Sequence, residues 1–347
     1  MSDSGTVCIY FVASPLQYLA ARCIARELEP GARQVLVWYK KGLKNVVRPE
    51  EWDACAYMAW PRWEPMPGPF GRLKRLRHNI RLVAQLAGPC RTLVLHSAVY
   101  DTEAINYFLR ALPKATGAKT LHARILPDGL ISIRRYPLSF AKRLIQCFRK
   151  TRRLVAPELD YTCFSGDRIG SDAGFCDRIY VLPGLPHEYP AAKTHVLPSL
   201  VKLGVSTGGE SETVRRRRAL VIGQPLVDKG HMSEADAERT TKEIHAYLDA
   251  RGVTEVDYKG HPKDSYSGLC RPEYRVIAPT EALESYLAST HYDIVAGVRS
   301  TTLLFARQIY PSSVEVVAFG WDRIRFKSQE EKDDMTQAFT SCGVTFR

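Results

Sequence analysis

His261 lies in a basic loop at the end of a predicted strand, residues 253–258. Gly260 before it tolerates backbone conformations that a Cβ resists, and Pro262 after it restricts the backbone of His261 itself. An imidazole on such a stiff loop faces the edge at which open α/β sheets bind their ligands, and Lys259 favours an anion there. A polar loop with a merely exposed imidazole is the alternative interpretation.

A second group of polar side chains opens a helix further along the chain. Residues 293–297 have the pattern of a buried strand that ends in glycine, and Ser300 and Thr301 follow at the start of an apolar helix. The backbone N–H groups and the helix dipole at such a start attract phosphate, although Ser and Thr there also serve as ordinary helix caps. Together with His261, this pair predicts a phosphate-binding edge in the second half of the chain.

The first half has two polar residues in the same kind of position. Gln17 follows the apolar run 7–12, and Asp128 follows a predicted strand at 121–126 and precedes Gly129. A carboxylate at a strand end is a candidate general base, and an amide there is a candidate ligand contact. The alternatives are a plain turn at Asp128, because Pro-Asp-Gly is a good turn sequence, and plain helix capping around Gln17.

The composition is that of a globular protein large enough for two domains. The chain has 347 residues, of which 45% are hydrophobic and 25% charged, and its net charge of +12 predicts an anionic partner or surface. Nine cysteines are scattered without a Cys-X-X-Cys pair or a zinc-ligand spacing, as is typical of a reduced cytoplasmic protein. We recognise no signal peptide and no apolar run of roughly 20 residues that would cross a membrane.

Alternating strands and helices predict two doubly wound halves. The first half opens with a strand–helix–strand unit, and the second half restarts this pattern after a stretch rich in Pro and Gly. We therefore predict an N-terminal Rossmann-like domain at residues 1–190, a linker at 191–214 and a C-terminal Rossmann-like domain at 215–347. Residues 52–70 are rich in Trp and Pro and have no clear period. Further strands are predicted at 34–39, 91–96, 161–164, 178–182, 218–223 and 314–319.

Two predicted helices, residues 71–86 and 140–154, carry many Lys and Arg residues. The second also has apolar residues at helical spacing, among them Leu144, Ile145 and Phe148. Such a helix suits a peripheral contact with an anionic membrane surface or with an anionic acceptor. The solvated face of an ordinary globular helix is the alternative interpretation.

The motifs at the strand ends resemble, in type and order, those of the bacterial sialyltransferases, which include the lipooligosaccharide sialyltransferases and the capsular polysialyltransferases. Those families share an acidic-Gly motif, a His-Pro motif and a Ser-Ser/Thr motif. The sequence has no GxGxxG, Walker A or GxSxG motif, which argues against dehydrogenases, P-loop NTPases and α/β-hydrolases. The matching pairs are Asp128 with Gly129, His261 with Pro262, and Ser300 with Thr301.

Two further stretches carry the same resemblance. Residues 14–17 (Ser-Pro-Leu-Gln) are similar to the start of the lipooligosaccharide group, and Gly223 and Gln224 are similar to the loop that opens the second domain of those enzymes. The sequence departs from the families at Pro127, where they carry another acidic residue. The acidic residues that stay open as contributors to the base are Asp101 and Glu103.

The resemblance implies a GT-B fold, in which two Rossmann-like domains of α/β type face a central cleft. The N-terminal domain would bind a glycan or glycolipid acceptor, and the C-terminal domain a CMP-sugar donor. The implied reaction is the inverting transfer of sialic acid from CMP-sialic acid to a lipooligosaccharide or capsular polysaccharide, with no metal and no other cofactor. Asp128 is expected to be the general base, and His261 to protonate or hydrogen-bond the leaving phosphate. The residues expected to bind substrate are Gln17, Gly129, Gly223, Gln224, Lys259, Gly260, Pro262, Ser300 and Thr301.

Two other functions stay open. A transferase for Kdo or another nonulosonate would also bind CMP through a His-Pro loop. A basic protein that binds nucleic acid or an anionic glycan would account for the charge, but it would leave His261 and Ser300 unexplained, and the basic residues are not interleaved with aromatic ones on one predicted sheet face. We therefore expect no nucleic-acid partner, and a location in the cytoplasm, either free or peripheral on the inner membrane.

Overall fold

Two units, each built on one parallel sheet, make up the chain. The computed structural model describes residues 5–128, 135–198, 200, 216–261, 264–279, 283, 286–287 and 290–347. The first unit comprises Met1–Leu182 and His187–Pro198, and the second comprises Pro183–Pro186 and Ser199–Arg347. Within the described ranges, no helix is both long and apolar enough to span a membrane.

Among the described residues, the sheet of the first unit has seven strands, all parallel to their neighbours. In chain order they are β1 (Thr6–Val12), β2 (Arg33–Trp38), β3 (Ala54–Tyr57), β4 (Thr92–Ser97), β5 (Thr120–Ile125), β6 (Cys176–Val181) and β7 (Thr194–Val196). Their spatial order is β3-β2-β1-β4-β5-β6-β7, so the winding reverses between β1 and β4. Such a reversal is the point at which doubly wound sheets bind ligands.

The helices of the first unit follow the strands as crossover connections. They are α1 (Pro15–Cys23), α2 (Gly71–Ala87), α3 (Glu103–Asn106), α4 (Phe108–Thr116) and α5 (Phe140–Thr151), and a π-helical turn at Ile24–Leu28 extends α1. The apolar run of β1 is buried almost throughout, because helices cover both faces of a parallel sheet. The predicted strand–helix–strand opening is therefore confirmed.

One strand predicted in the first unit is absent from the described structure, and two short strands were not predicted. Residues 161–164, predicted as a strand, are irregular, and the hydroxyl of Tyr161 instead accepts a hydrogen bond from Arg149 in α5. The region 52–70, which has no clear period, contains β3, a strand of only four residues. Residues 194–196, which lie within the linker predicted at 191–214, form β7 and pair with β6. Such short edge strands carry too little pattern to be recognised.

In the part of the chain that the structure describes, the sheet of the second unit has six parallel strands. They are β8 (Arg217–Ile222), β9 (Val253–Lys259), β10 (Arg275–Val276), β11 (Ile294–Gly297), β12 (Glu315–Ala318) and β13 (Thr345–Phe346). The spatial order β10-β9-β8-β11-β12-β13 repeats the pattern of the first six strands of the other unit, and it reverses between β8 and β11. The helices described here are α6 (Glu234–Asp249), α7 (Thr301–Ile309) and α8 (Gln329–Cys342).

Candidate functional site

Gln17 and Asp128 meet at the carboxyl edge of the first sheet. The amide nitrogen of Gln17 donates a hydrogen bond of 2.8 Å to Oδ1 of Asp128. The two residues follow β1 and β5, and β4 lies between these strands at the reversal of the sheet. Two residues 111 positions apart are therefore joined at the edge where such sheets bind ligands.

The backbone fixes the orientation of the Gln17 amide. The N–H of Ala13 donates to Oε1 of Gln17 at 2.7 Å, so the NH₂ group must point the other way, toward Asp128. The N–H of Gln17 in turn donates to Oγ of the helix cap Ser14 at 3.2 Å, and Pro15 occupies the first helical position. Gln17 is buried, and its side chain is thus held as a donor to the carboxylate.

Asp128 has the properties that a general base requires. Burial raises the pKa of its carboxyl, while the hydrogen bond from Gln17 and the charge of Lys40 act in the opposite direction. Burial also raises the pKa of Tyr39, and the negative charge of Asp128 raises it further, which brings this phenol into the same site. A carboxylate with a raised pKa holds a proton more strongly than an ordinary one, and so it is a better acceptor of a proton near neutral pH.

Asp101 and Glu103, the alternative contributors to the base, are each held by cations. Asp101 is buried and also accepts hydrogen bonds from Gln146 at 3.2 Å and Tyr161 at 3.3 Å. Both acids line a cavity of about 240 Å³ beside α3. Their cationic partners are Lys142 and Arg168 for Asp101, and Arg72 and Arg152 for Glu103. These contacts give the two acids a structural role in attaching α5 and leave Asp128 as the stronger candidate.

In the second unit, Gln224 links the loops that follow β8 and β11. Its side-chain oxygen accepts a hydrogen bond of 2.8 Å from the backbone N–H of Arg299, the residue before Ser300. The two loops lie at the reversal of the second sheet, as Gln17 does at that of the first. The structure thus brings together Gln224 and Ser300, which are 76 positions apart in the sequence.

Gly223 is required by a close approach. Its N–H donates to the carbonyl of Lys259 at 2.9 Å, and a Cβ built on it would lie 2.2 Å from the hydroxyl oxygen of Tyr258. Any side chain at this position would displace the buried Tyr258 ring. The glycine therefore allows the chain after β8 to pack closely against the end of β9.

The loop after β9 differs in part from its prediction. Gly260 does not have a positive φ, and a Cβ on it would make an ordinary contact of 3.5 Å with Tyr258. The prediction that Gly260 adopts a backbone conformation that a Cβ resists is therefore wrong. The amine of Lys259 donates a hydrogen bond of 2.8 Å to the carbonyl of Gly260, within its own loop. His261 is exposed, and its carbonyl accepts from the N–H of Asp264 at 2.9 Å. Pro262, like Gly129 in the first unit, lies outside the described residues.

Ser300 is the N-cap of α7. Its Oγ accepts from the N–H of Thr302 at 3.2 Å, and Thr301 is exposed in the first turn. The ordinary capping role is therefore confirmed. In this cap the Ser300 oxygen accepts a hydrogen bond, so its hydroxyl proton can be donated to an anion. The dipole of α7 also favours an anion at this end of the helix.

Arg299 is a residue of this edge that sequence reasoning missed. Its guanidinium donates to Glu331 of α8 at 3.0 Å, lies 3.2 Å from Nδ1 of His231, and stacks over Phe326 at 5.3 Å. Its place directly before Ser300 was visible in the sequence, but its partners come from distant segments. Within the described residues, no three His, Cys, Asp or Glu side chains are grouped as metal ligands would be.

The sequence matches no protein-family model and no curated protein. The structure, however, is similar to that of UDP-GlcNAc 2-epimerase from Methanocaldococcus jannaschii, with 10% identity over 96% of this chain and 92% of that chain and a TM-score of 0.50. It also matches the S. aureus MnaA–UDP complex, with 11% identity over 96% of this chain and 87% of that chain and a TM-score of 0.47. The fold is GT-B. The two Rossmann-like sheets expected from the sequence are confirmed, and because a GT-B fold hosts several chemistries, the function must be argued from the side chains.

Proposed function

We propose that this chain is an inverting glycosyltransferase that moves sialic acid from CMP-sialic acid to a hydroxyl group of a glycan acceptor of the lipooligosaccharide or capsular type. The observation that carries the proposal is the pair of the buried Gln17 and the partly buried Asp128 at the ligand-binding edge of the first sheet. The order of the motifs around Asp128, His261 and Ser300 adds the resemblance to sialyltransferases. The fold adds only that two Rossmann-like units are present, which nucleotide-sugar enzymes use.

In the proposed reaction, the acceptor hydroxyl oxygen forms a bond to the anomeric carbon while the bond from that carbon to the phosphate oxygen of CMP breaks. Asp128 takes the proton of the hydroxyl, and the bonding electron pair leaves with CMP. Attack opposite to the leaving group inverts the anomeric centre. A placed base of this kind is typically worth about 10² to 10⁴ in rate.

The second unit would hold the leaving phosphate. The start of α7 with Ser300 and Thr301 supplies backbone N–H groups and a dipole, and His261 supplies an imidazole in the loop after β9. Such donors stabilise the charge that develops on a phosphomonoester, so the proposed reaction requires no metal ion. Gln224 would contribute by fixing the backbone before Ser300.

Nucleotide specificity gives the first test. We expect CMP, but not UDP or GDP, to raise the melting temperature, and to do so with EDTA present. Mass spectrometry of products from CMP-sialic acid, CMP-Kdo and UDP-GlcNAc with a panel of glycan acceptors then identifies the transferred sugar. Transfer from CMP-Kdo alone would mean that the transferred sugar is Kdo and not sialic acid. A rise in melting temperature with UDP alone, or only with added Mg²⁺ or Mn²⁺, would overturn the proposal.

His261 is tested against a histidine of the same unit. His261→Ala should lower turnover and also weaken CMP binding, because the imidazole would contact the phosphate before and during the reaction. His291→Ala is the matched control, since His291 precedes β11 and so lies at the opposite, amino end of the strands. Calorimetric titration of CMP should distinguish the two variants, and equal affinities would remove His261 from the phosphate site.

A further inference from the structure

Helix α5 presents its apolar side outward. Phe140, Leu144 and Phe148 follow one another at intervals of four residues and are 75%, 55% and 68% exposed, and Ile145 beside them is 44% exposed. All twelve residues of α5 are described, and one of them, Gln146, is buried. An amphipathic helix of a globular protein ordinarily turns its apolar stripe toward the core, so this helix is oriented the opposite way.

Hydrogen bonds hold α5 in this orientation. The Gln146 amide donates to Oδ1 of Asp101 at 3.2 Å and accepts from the N–H of Phe164 at 3.0 Å. On the same side of the helix, Lys142 pairs with Asp101 at 3.4 Å, and Arg149 donates to the Asp101 carbonyl at 3.4 Å. Rotation of α5 to bury its phenylalanines would break these contacts and take the Gln146 and Lys142 donors away from the buried carboxylate of Asp101. The outward apolar stripe is therefore a specified feature of the fold.

The charges around the stripe indicate what covers it. Residues 136–157 contain six Lys or Arg residues and no Asp or Glu. Arg143 and Arg153 are exposed, and Lys150 is half-buried. An anionic bilayer accepts apolar side chains at the level of its headgroups and attracts the basic residues at the rim, whereas a second copy of the chain would bring like charges together.

We infer that the apolar stripe of α5, defined as Phe140, Leu144, Ile145 and Phe148, docks on the surface of an anionic lipid bilayer. The helix lies in the plane of the interface, with its aromatic and aliphatic side chains among the upper acyl segments and Arg143 and Lys150 near the headgroup phosphates. Its inward side keeps the contacts to Asp101. Lys142 and Arg149 also line the cavity of about 240 Å³, so docking would hold this cavity close to the membrane. The inference does not depend on the identity of the sugar donor.

Co-sedimentation of the full chain with vesicles tests the docking. We expect binding to vesicles of equal parts phosphatidylcholine and phosphatidylglycerol, much weaker binding to pure phosphatidylcholine, and a loss of binding at roughly 0.5 M salt, where charges are screened within a few ångströms. Phe140→Ser combined with Phe148→Ser should lower the partition coefficient about tenfold or more. Val276→Ser, which removes an exposed apolar side chain of the second unit, is the matched control and should stay within about twofold of wild type.

The charged rim has its own variant. Arg143→Glu combined with Lys150→Glu should lower binding to the anionic vesicles about tenfold or more at low salt. Arg149 and Arg152 are unsuitable for this purpose, because they contact Tyr161 and Tyr107 on the inward side. The substituted residues are at the surface, so the melting temperature should be unchanged, and this is measured in parallel.

Tryptophan fluorescence tests the docking by a gain of signal, in addition to the losses of binding expected above. Phe148→Trp should show an additional blue shift of tryptophan emission, relative to wild type, when the anionic vesicles are added, and quenching by brominated lipid. Failure of the wild type to bind these vesicles, or binding of the double serine variant at wild-type strength, overturns the inference. So does a dimer in sedimentation equilibrium that the serine variant dissociates, because a second copy would then cover the stripe. Transfer to a soluble acceptor should persist in the serine variant, so that failure of docking and failure of the proposed function are distinguishable.

Discussion

Asp128 and Asp257 are two aspartates whose surroundings shift the pKa of the carboxyl group in opposite directions. Asp257, buried in β9, accepts hydrogen bonds from Arg275 at 2.6 and 2.9 Å, from Tyr292 at 2.6 Å and from Arg218 at 3.2 Å. Asp128, at the end of β5, accepts a hydrogen bond of 2.8 Å from the neutral amide of Gln17.

The difference appears in the direction of the two pKa shifts. Burial tends to raise the pKa of Asp257, but the donors Arg275 and Tyr292 and the charges of Arg275 and Arg218 outweigh it, so the pKa is lowered. For Asp128, burial prevails over Gln17 and Lys40, and the pKa is raised. A carboxylate surrounded by cations is a stable anion that holds strands together, whereas a carboxylate whose pKa is raised by burial takes up a proton more readily.

The largest expected effect is the loss of transfer activity when Asp128 is replaced. Asp128→Asn should lower transfer by about 10² to 10⁴ while CMP still binds, because the amide cannot accept the acceptor proton. The folded protein holds a proton on Asp128 more readily than the unfolded chain does, so its ionisation above the unfolded pKa of about 3.9 disfavours folding. Asn removes this effect, and the melting temperature at pH 7 should stay equal or rise.

Steady-state kinetics and thermal unfolding of the same preparation check this prediction. Asp53→Asn is the matched control: Asp53 is an exposed acid of the first unit that accepts from the N–H of Gln34 at 2.7 Å, and its removal should leave turnover near the wild-type value. Near-wild-type turnover of Asp128→Asn would mean that Asp128 is a turn residue, since Asn suits the same turn. The base would then have to be sought at Asp101 or Glu103.

A smaller effect, on stability, is expected at Asp257. Asp257→Asn should lower the free energy of unfolding of the second unit by about 1–3 kcal/mol at pH 7, because charged donors lose their anion. The folded pKa is below the unfolded value of about 3.9, so the contribution is present above that value and is lost as the pH falls through the folded pKa. Denaturant unfolding at neutral and acidic pH should therefore show the difference between wild type and variant shrinking in acid. A difference that is independent of pH would argue against ionisation as its source.

The smallest effect sharpens the role of Gln17. Gln17→Leu removes a donor that lowers the pKa of Asp128, so that pKa should rise and the acidic limb of the turnover profile should move to higher pH. The loss at the optimum should be about fivefold, as expected for one hydrogen bond worth about 1 kcal/mol. Turnover measured across pH checks this, and an unshifted limb with reduced turnover would indicate that Gln17 only supports the fold of the loop.

Much of the candidate site was predictable from local pattern. Short apolar runs that end in Ser-Pro, Pro-Asp-Gly or Gly-Gln-Pro mark strands and their carboxyl ends, and parallel strands place those ends at one edge. Gln17 with Asp128, and Gln224 with the residue before Ser300, are accordingly found in contact. The roles of these residues in catalysis stay predictions.

Other features depend on partners from distant segments. Arg299 acquires its position from Glu331 and His231, which no spacing in the sequence connects to it. The special conformation expected of Gly260 is absent, whereas Gly223 is required because the ring of Tyr258 lies against it. A glycine in a sequence shows only what the backbone tolerates, and the neighbour that makes it necessary is known from the packing.

Helix α5 shows where the information in the sequence ends. The amphipathic pattern of the helix predicted at residues 140–154, with its basic and apolar residues, follows from the sequence, because the helical period is a local property. Which side of α5 faces inward follows from the packing of the fold. That choice rests on hydrogen bonds from Gln146 and Lys142 to the buried Asp101, a residue about forty positions earlier. Burying the apolar side of α5 instead would take these donors away from the buried carboxylate, and a buried polar group that loses its donors is costly.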